Sequence, residues 1–344
     1  MAVRLRRSSC SRPGITRRRR GRGFEYRDGD AVVRDPVTLQ RIRDLAIPPA
    51  WRDVWICRDE RGHLQAVGTD AAGRRQYLYH PAWREHRDQV KHRRVLTVAR
   101  RLPRARAYVT AAMAGRGLGR ERVLACTFRL LDLGLFRVGG EEYAEENGSF
   151  GLSTLRREHV VVHGDGRLTF DYVGKSGISR RIVVVDPGAY AVVASLARRT
   201  SPDDQLFGWT AGHRWHDVTA ADVNEYVHER LGDATAKDFR TWHATVLAAA
   251  HLAAHWADAD AAGRTPMSER ARRRAVAETM RQVSVYLGNT PAVCRASYVD
   301  PRVVERFGEG RTIERALRGV GELDPPFEGR VQARLERAVL RLLD

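Results

Sequence analysis

Two hydrophobic periods alternate along this chain, and the places where they change divide it. From Phe24 to about Arg94 the spacing is mostly that of strands. Val54–Arg58 and Leu64–Thr69 flank the turn Asp59-Glu60-Arg61-Gly62, and Asp70–Gly73 leads into Arg74-Arg75-Gln76-Tyr77-Leu78-Tyr79-His80. Short apolar runs around tight turns predict a small antiparallel sheet. One short helix is predicted over Val37–Leu45, ended by Ile47-Pro48-Pro49. In the last strand Tyr77 and Tyr79 share one face and Gln76 and Leu78 the other, because side chains alternate along a strand.

Beyond Lys91-His92-Arg93-Arg94, apolar residues recur every three or four positions over Leu96–Ala114 and Glu121–Leu133, which predicts helices with one buried face. Arg137 follows the second of these, flanked by apolar residues that draw it inward, and a half-buried arginine needs an anion. Period two returns at His159-Val160-Val161-Val162, Arg167–Val173 and Arg180–Val185. The turns His163-Gly164-Asp165-Gly166 and Gly174-Lys175-Ser176-Gly177 join them into a three-stranded meander with Lys175 at a tip. Helices resume over Ala189–Arg198 and Ala220–Leu231, with a loop predicted over Ser201–Asp217. The next helix carries Lys237 and Arg240, three apart and so on one face, buries Val246–Ala254, and gives way to a polar loop at Asp258–Thr265.

A long helical pattern then stops at Gly288, which accepts the left-handed turn of a helix end. Asn289 lies in the gap. Thr290 caps a short helix with Pro291 at its first position, and this helix carries Tyr298 before Asp300-Pro301. Glu314–Asp344 adds one or two amphipathic helices, broken at Pro325-Pro326. The predicted class is α+β: a basic disordered tail over residues 1–23, a small β-rich domain over residues 24–94, and a larger, mainly helical domain over residues 95–344.

Charge names the kind of partner. Lysine and arginine outnumber the acids 60 to 42, for a net +18. Nine arginines and no acid in the first 22 residues supply half of that, so the body is basic too. A polyanion is expected, most simply nucleic acid. Cys10, Cys57, Cys126 and Cys294 are far apart with no C-x-x-C spacing, which disfavours a zinc site and a disulfide framework and suits a reduced compartment. No apolar run follows the N-terminal charges as a secretory signal requires, and Val246–Ala254 is too short to span a bilayer. A cytoplasmic protein with no membrane partner is expected. Glu141, Glu142, Glu145 and Glu146 read as a solvated helix face rather than a metal site. No G-x-x-x-x-G-K-[ST] loop is present, and Gly115, Gly117 and Gly119 follow a helix rather than a strand.

The polar residues singled out are Arg137, Lys175, Lys237, Arg240, Asn289 and Tyr298. They suit attack of a tyrosine on a phosphodiester. Two arginines can grip the non-bridging oxygens and hold the charge that builds in the transition state, with an amide donating beside them. A phenol ionises near 10 in water, so cations must help it lose its proton. The leaving 5′-oxygen needs a proton in turn, and a lysine among other cations can give one.

These residues also carry a family resemblance. From about Arg34 to the C-terminal region the chain resembles a type IB DNA topoisomerase of the compact, poxvirus-like bacterial kind. The motifs are Gly73-Arg74-Arg75-Gln76-Tyr77-Leu78-Tyr79, Phe136-Arg137-Val138-Gly139 with Tyr143-Ala144-Glu145-Glu146-Asn147, Tyr172-Val173-Gly174-Lys175, Ala236-Lys237-Asp238-Phe239-Arg240-Thr241, and Ser297-Tyr298 with Asn289 nine residues earlier. The resemblance implies a C-shaped clamp around double-stranded DNA, working as a monomer in the nucleoid. No cofactor or metal is then required, a divalent cation being at most a stimulant. Tyr298 would form a 3′-phosphotyrosyl link, Arg137 and Arg240 would stabilise the transition state, and Lys175 would be the general acid with Lys237 assisting. Asn289 stands where poxvirus enzymes carry histidine; both donate to a phosphate oxygen. Gln76, Tyr77 and Tyr79 would touch DNA in the major groove, and Tyr143 the backbone near the cut; Arg74 and Arg75, immediately before the tyrosine strand, are read from their charge as part of the same DNA-facing surface.

A tyrosine recombinase uses almost the same catalytic set, but usually has His-x-x-Arg where Lys237 and Arg240 stand, and a helical N-terminal domain. A non-enzymatic DNA-binding protein would have lost a catalytic residue, and none is missing here.

Overall fold

The computed structural model describes residues 4–133, 136–140, 148–199, 204–323, 327 and 329–344. The chain divides into two compact units, Met1–His92 and Arg93–Asp344.

The first unit is built on a six-stranded antiparallel sheet of β1 (Ile15–Arg20), β2 (Gly23–Asp28), β3 (Ala31–Val32), β4 (Arg52–Ile56), β5 (Leu64–Thr69) and β6 (Arg75–Tyr79). The spatial order is β3-β2-β1-β4-β5-β6. Ile15, Val54, Ile56 and Ala66 on the sheet meet Ile42 on α1 (Pro36–Asp44) in a small core. Asp35 caps α1 by accepting from the Thr38 amide at 2.8 Å.

Strand β1 corrects the expectation of a disordered tail over residues 1–23, because it lies inside the sheet with Ile15 buried. Two of its arginines, Arg17 and Arg20, are held by the fold. Arg17 lies 4.2 Å from the Phe24 ring centroid and donates to the carbonyls of Ile47, Pro48 and Trp51, while Arg20 pairs with Glu25 at 2.8 Å. Upstream, the Arg6 amide donates to Arg61 O and the His63 amide to Arg6 O. A charge run conceals a strand when some of its cations find a carbonyl, a ring or a carboxylate.

The second unit is mainly helical. Its helices are α2 (Pro81–Met113), which starts in the first unit, α3 (Arg120–Asp132), α4 (Pro187–Ala197), α5 (Ala220–Leu231), α6 (Ala236–Ala261), α7 (Glu269–Leu287), α8 (Pro291–Ser297), α9 (Pro301–Gly308) and α10 (Gly329–Leu343). Strands β7 (Val160–Val162), β8 (Arg167–Gly174) and β9 (Ile178–Val185) form the expected meander. The helical period begins at Pro81 rather than near residue 95, since residues 81–94 form a charged helical segment with few apolar markers. Within the predicted loop Ser201–Asp217 lies the hairpin of β10 (Gly208–Ala211) and β11 (Arg214–Asp217). Helix α6 also runs on to Ala261, through part of the predicted polar loop.

Alanine-rich α6 is the axis of this unit, with Phe239, Trp242, Val246 and Leu247 all buried. Phe239 meets Phe128 of α3 edge-on at 5.0 Å. Behind α6 lies a buried ionic network. Arg106 of α2 donates to Asp132 of α3 at 2.7 Å and to Glu336 of α10 at 2.6 Å, and the Trp242 indole donates to Glu336 at 3.1 Å. Among the described residues no helix is long and apolar enough to cross a membrane. Tyr143, the cluster Glu141–Glu146 and Pro325-Pro326 fall outside the described residues.

Candidate active site

The second unit brings Arg137, Lys175, Lys237, Arg240, Asn289 and Tyr298 to the wall of one cleft of about 650 Å³. They come from five places in the chain, each fixed by local chemistry.

Arg137 sits in an extended stretch tied to the segment that follows the acidic cluster. The Leu152 amide donates to Arg137 O at 2.8 Å and the Ser153 amide to Val138 O at 2.7 Å. The two backbones touch at Gly139 and Gly151, where a Cβ on Gly151 would come within 2.5 Å of the Gly139 backbone. Phe136 anchors this stretch, fully buried against Phe170 at 5.1 Å. Lys175 occupies the turn between β8 and β9 and is exposed. Lys237 and Arg240 lie on the first turns of α6, where the Asp238 carboxylate accepts from the Thr235 amide at 2.8 Å and hydroxyl at 3.0 Å. Lys237 is exposed, whereas Arg240 is only 3% exposed.

Helix α7 ends as the sequence predicts, with Gly288 left-handed at φ +61° and the Asn289 amide returning to Ser284 O at 3.0 Å. Thr290 caps α8, accepting from the Val293 amide at 3.3 Å. Tyr298 is the residue that ends α8. Thr245 of α6 accepts from the Asp300 amide at 3.1 Å and reaches Tyr298 O at 3.3 Å, so the backbone around the phenol is pinned to the helix that carries Arg240. The Tyr298 ring centroid lies 5.6 Å from the Arg240 guanidinium and 5.9 Å from Lys237 Nζ.

The electrostatics are those of an anion site. Arg240 donates to Leu287 O and Arg137 donates to Gly288 O at 3.0 Å. Carbonyls at a helix C-terminus hold these cations with partial charge only. Among the described residues no carboxylate lies within ion-pair distance of Arg137 or Arg240. Burial lowers the Arg240 guanidinium to about 10, Arg137 adds repulsion, and Tyr298 opposes the shift. Arg240 Nε and both amide atoms of Asn289 are buried without hydrogen-bond partners. Orphaned donors are costly, so their presence in one cleft marks where a ligand oxygen belongs. Among the described residues no group of three or more His, Cys, Asp or Glu side chains is placed to hold a metal ion.

A family model described as eukaryotic DNA topoisomerase I, catalytic core, matches residues 80–316. The chain belongs to the type IB DNA topoisomerases. A second model, bacterial DNA topoisomerase IB, N-terminal domain, matches residues 23–70, so β1 precedes the matched region. DNA topoisomerase 1B of Acanthamoeba polyphaga mimivirus is 28% identical over 304 residues, covering 86% of this chain and 87% of the relative. DNA topoisomerase 1B of vaccinia virus (strain Copenhagen) is 23% identical over 298 residues, covering 83% and 89%.

Of the predicted DNA-contacting residues of this topoisomerase, Arg74, Arg75, Gln76, Tyr77 and Tyr79 lie on the first unit, and Tyr143 falls outside the described residues. Strand β6 is an edge strand with Tyr77 and Tyr79 exposed on one face, their rings stacked at 6.3 Å. Gln76 is on the other face, donating to Asp70 at 2.9 Å, and Arg74 donates to the same carboxylate at 3.0 Å. Arg75 reaches Cys10 Sγ at 3.3 Å. Sequence reading passed over Thr245 and Arg180. Arg180 of β9 donates to Tyr286 O at 3.2 Å, beside the carbonyls that hold Arg240 and Arg137. Its parity was the available signal: it shares a strand face with buried Ile182 and Val184.

Proposed function

We propose that this type IB topoisomerase relaxes positive and negative supercoils in double-stranded DNA by cutting one strand through Tyr298, letting the duplex rotate, and resealing it. The observation that carries the reading is the convergence of Arg240 Nε and the Asn289 amide, buried and unpartnered, in the cleft that holds Tyr298. A scissile phosphate supplies the acceptors these donors lack.

The Tyr298 oxygen bonds to phosphorus as its phenolic proton passes to solvent water, and the P–O5′ bond breaks with its electron pair on O5′. Arg137 and Arg240 exchange helix-end carbonyls for the non-bridging oxygens, where charge builds; loss of one such donor elsewhere costs about 10²–10³ in rate. Asn289 donates beside them. Lys175, on the hairpin tip, delivers a proton to O5′, and Lys237 assists from the Tyr298 side. The 3′-phosphotyrosyl bond conserves the energy of the cut, so the 5′-hydroxyl reseals it without ATP. The cations do this work without a required metal. The first unit grips DNA through Arg74, Arg75, Gln76, Tyr77 and Tyr79, and the two units close on it as a C-shaped clamp. The enzyme acts as a monomer on cytoplasmic, nucleoid DNA. Tyr143 is assigned the backbone beside the cut on family resemblance alone.

The test is relaxation of positively and negatively supercoiled plasmid in EDTA without ATP, for wild type beside Tyr298→Phe. Wild type relaxes both, and the variant binds but relaxes neither. Relaxation by Tyr298→Phe would remove the nucleophile assignment. A wild type that binds DNA yet leaves it supercoiled would remove the mechanism.

A further inference from the structure

Three consecutive carbonyls end α7, and each takes one guanidinium. Tyr286 O accepts from Arg180, Leu287 O from Arg240, and Gly288 O from Arg137. Two of the three arginines have a task in the chemistry proposed above. The third, Arg180, enters from a different element.

Arg180 stands on β9 directly across from Tyr172 on β8, in the hairpin whose turn holds Lys175. The pairs Tyr172–Arg180, Val173–Ser179 and Gly174–Ile178 run from Arg180 up to that turn. Its guanidinium lies against the end of α7: a Cβ on Gly288 would come within 2.1 Å of Arg180 Nη1. It also acts on its neighbours. Burial raises the Tyr172 phenol, and Arg180 is the leading opposing influence; Arg180 adds to the repulsion on Arg240. A lysine at the tip of a hairpin is placed by whatever anchors the strands beneath it. Here the anchor joins the strand beneath Lys175 to the helix end that presents Asn289 and leads to Tyr298.

We propose that Arg180 is a positioning residue that locks the β8–β9 hairpin onto the last turn of α7 and so sets the reach of Lys175 to the leaving 5′-oxygen. The inference rests on the reading of Lys175 as the general acid. It predicts a defect of one kind. Losing Arg180 should impair protonation of the leaving group and spare the cations that stabilise the phosphorane.

Single-turnover cleavage of a duplex with oxygen at the scissile 5′ position, beside the same duplex with sulfur there, separates these effects. A thiol ionises near 8.5, so a thiolate leaves without a proton. General acid catalysis is worth about 10²–10⁴, and misplacing the acid should forfeit part of it. Arg180→Gln is expected to cleave the oxygen duplex about tenfold to a hundredfold more slowly at saturating enzyme, and the sulfur duplex within about threefold of wild type. A purely structural defect would slow both alike. Equal slowing on both duplexes, or full speed on oxygen, overturns the proposal. Lys175→Ala is measured in parallel. If sulfur restores Lys175→Ala and not Arg180→Gln, the positioning role fails while the general acid stands. If sulfur restores neither, the general acid reading fails and takes this inference with it. If Arg180→Gln does not fold, Arg180→Lys decides by the same criteria, since it keeps the charge and loses the planar fork.

Discussion

The amide of Asp300 donates to Thr245 Oγ1 at 3.1 Å, two residues beyond the proposed nucleophile. Thr245 is buried on α6, five residues after Arg240, so one helix positions the arginine by its side chain and the tyrosine by its backbone. Thr245→Val keeps the shape and removes the acceptor. An orphaned buried N–H costs about 1–3 kcal/mol, which lowers the melting temperature by several degrees. Cleavage should slow as Tyr298 loses its register against Arg240. Thermal unfolding and single-turnover cleavage check this, and wild-type values in both would show that α8 and the chain beyond it hold Tyr298 unaided.

Arg240 predicts the opposite separation of stability and activity. Among the described residues no carboxylate pairs with its buried charge, and burial lowers it to about 10, so the folded protein carries a cation it would rather shed. Arg240→Met removes that charge at similar volume. The relief offsets much of the lost hydrogen bond to Leu287 O, and the net change in stability should stay within about 1 kcal/mol. Cleavage should fall by about 10²–10³. A melting temperature lower by ten degrees would mean that Arg240 is principally a structural residue.

Much of this architecture is legible in the sequence because local chemistry and tertiary contacts agree. Gly288, Thr290 and Pro291 specify a helix stop and restart by local backbone preference and a side-chain cap, and the structure places both there. The meander is legible because His163-Gly164-Asp165-Gly166 is a strong turn between alternating strands. Strand β1 is not legible, because Arg17 looks solvated until the carbonyls of Ile47, Pro48 and Trp51 arrive from thirty or more residues away. Helix α2 is blurred at its start for a related reason: residues 81–94 are charged and give the helical period little to show. The role of Thr245 depends on which amide stands opposite, which no local pattern records; strand parity turns Arg180 inward but does not say which carbonyl it meets.

The network behind α6 predicts a dependence on acid. Burial alone would raise the Asp132 carboxyl, but Arg106 beside it and His243, whose Nε2 lies 3.5 Å away, hold it well below the usual carboxylate range. A carboxyl depressed on folding stabilises the folded state above its unfolded value, near 4, and that contribution is lost as pH falls from there toward its folded value. Unfolding by urea, followed through the buried Trp242, should therefore show stability dropping below about pH 4. Asp132→Asn should be less stable at pH 7, with a flatter acid limb, so that the two curves approach each other at low pH. Parallel curves would place the acid sensitivity in other carboxylates.

The exposed face of β6 separates two kinds of contact with DNA. Tyr77 and Tyr79 present stacked rings with 44% and 37% of their surface free, whereas Arg75 offers an exposed guanidinium that reaches Cys10 Sγ at 3.3 Å. A cation that neutralises one phosphate releases counterions and steepens the dependence of log K on log salt by about 0.9; an uncharged ring does not. Arg75→Gln should therefore weaken binding to duplex DNA and flatten that slope by about 0.9. Tyr77→Ala should weaken binding at every salt concentration with the slope unchanged. Because both side chains are exposed on an edge strand, neither change should move the melting temperature appreciably. Binding isotherms over a salt series, with catalysis blocked by Tyr298→Phe, provide the measurement. If both variants keep wild-type affinity and slope, this edge of the sheet does not meet DNA, and the basic surface that does must lie elsewhere on the protein.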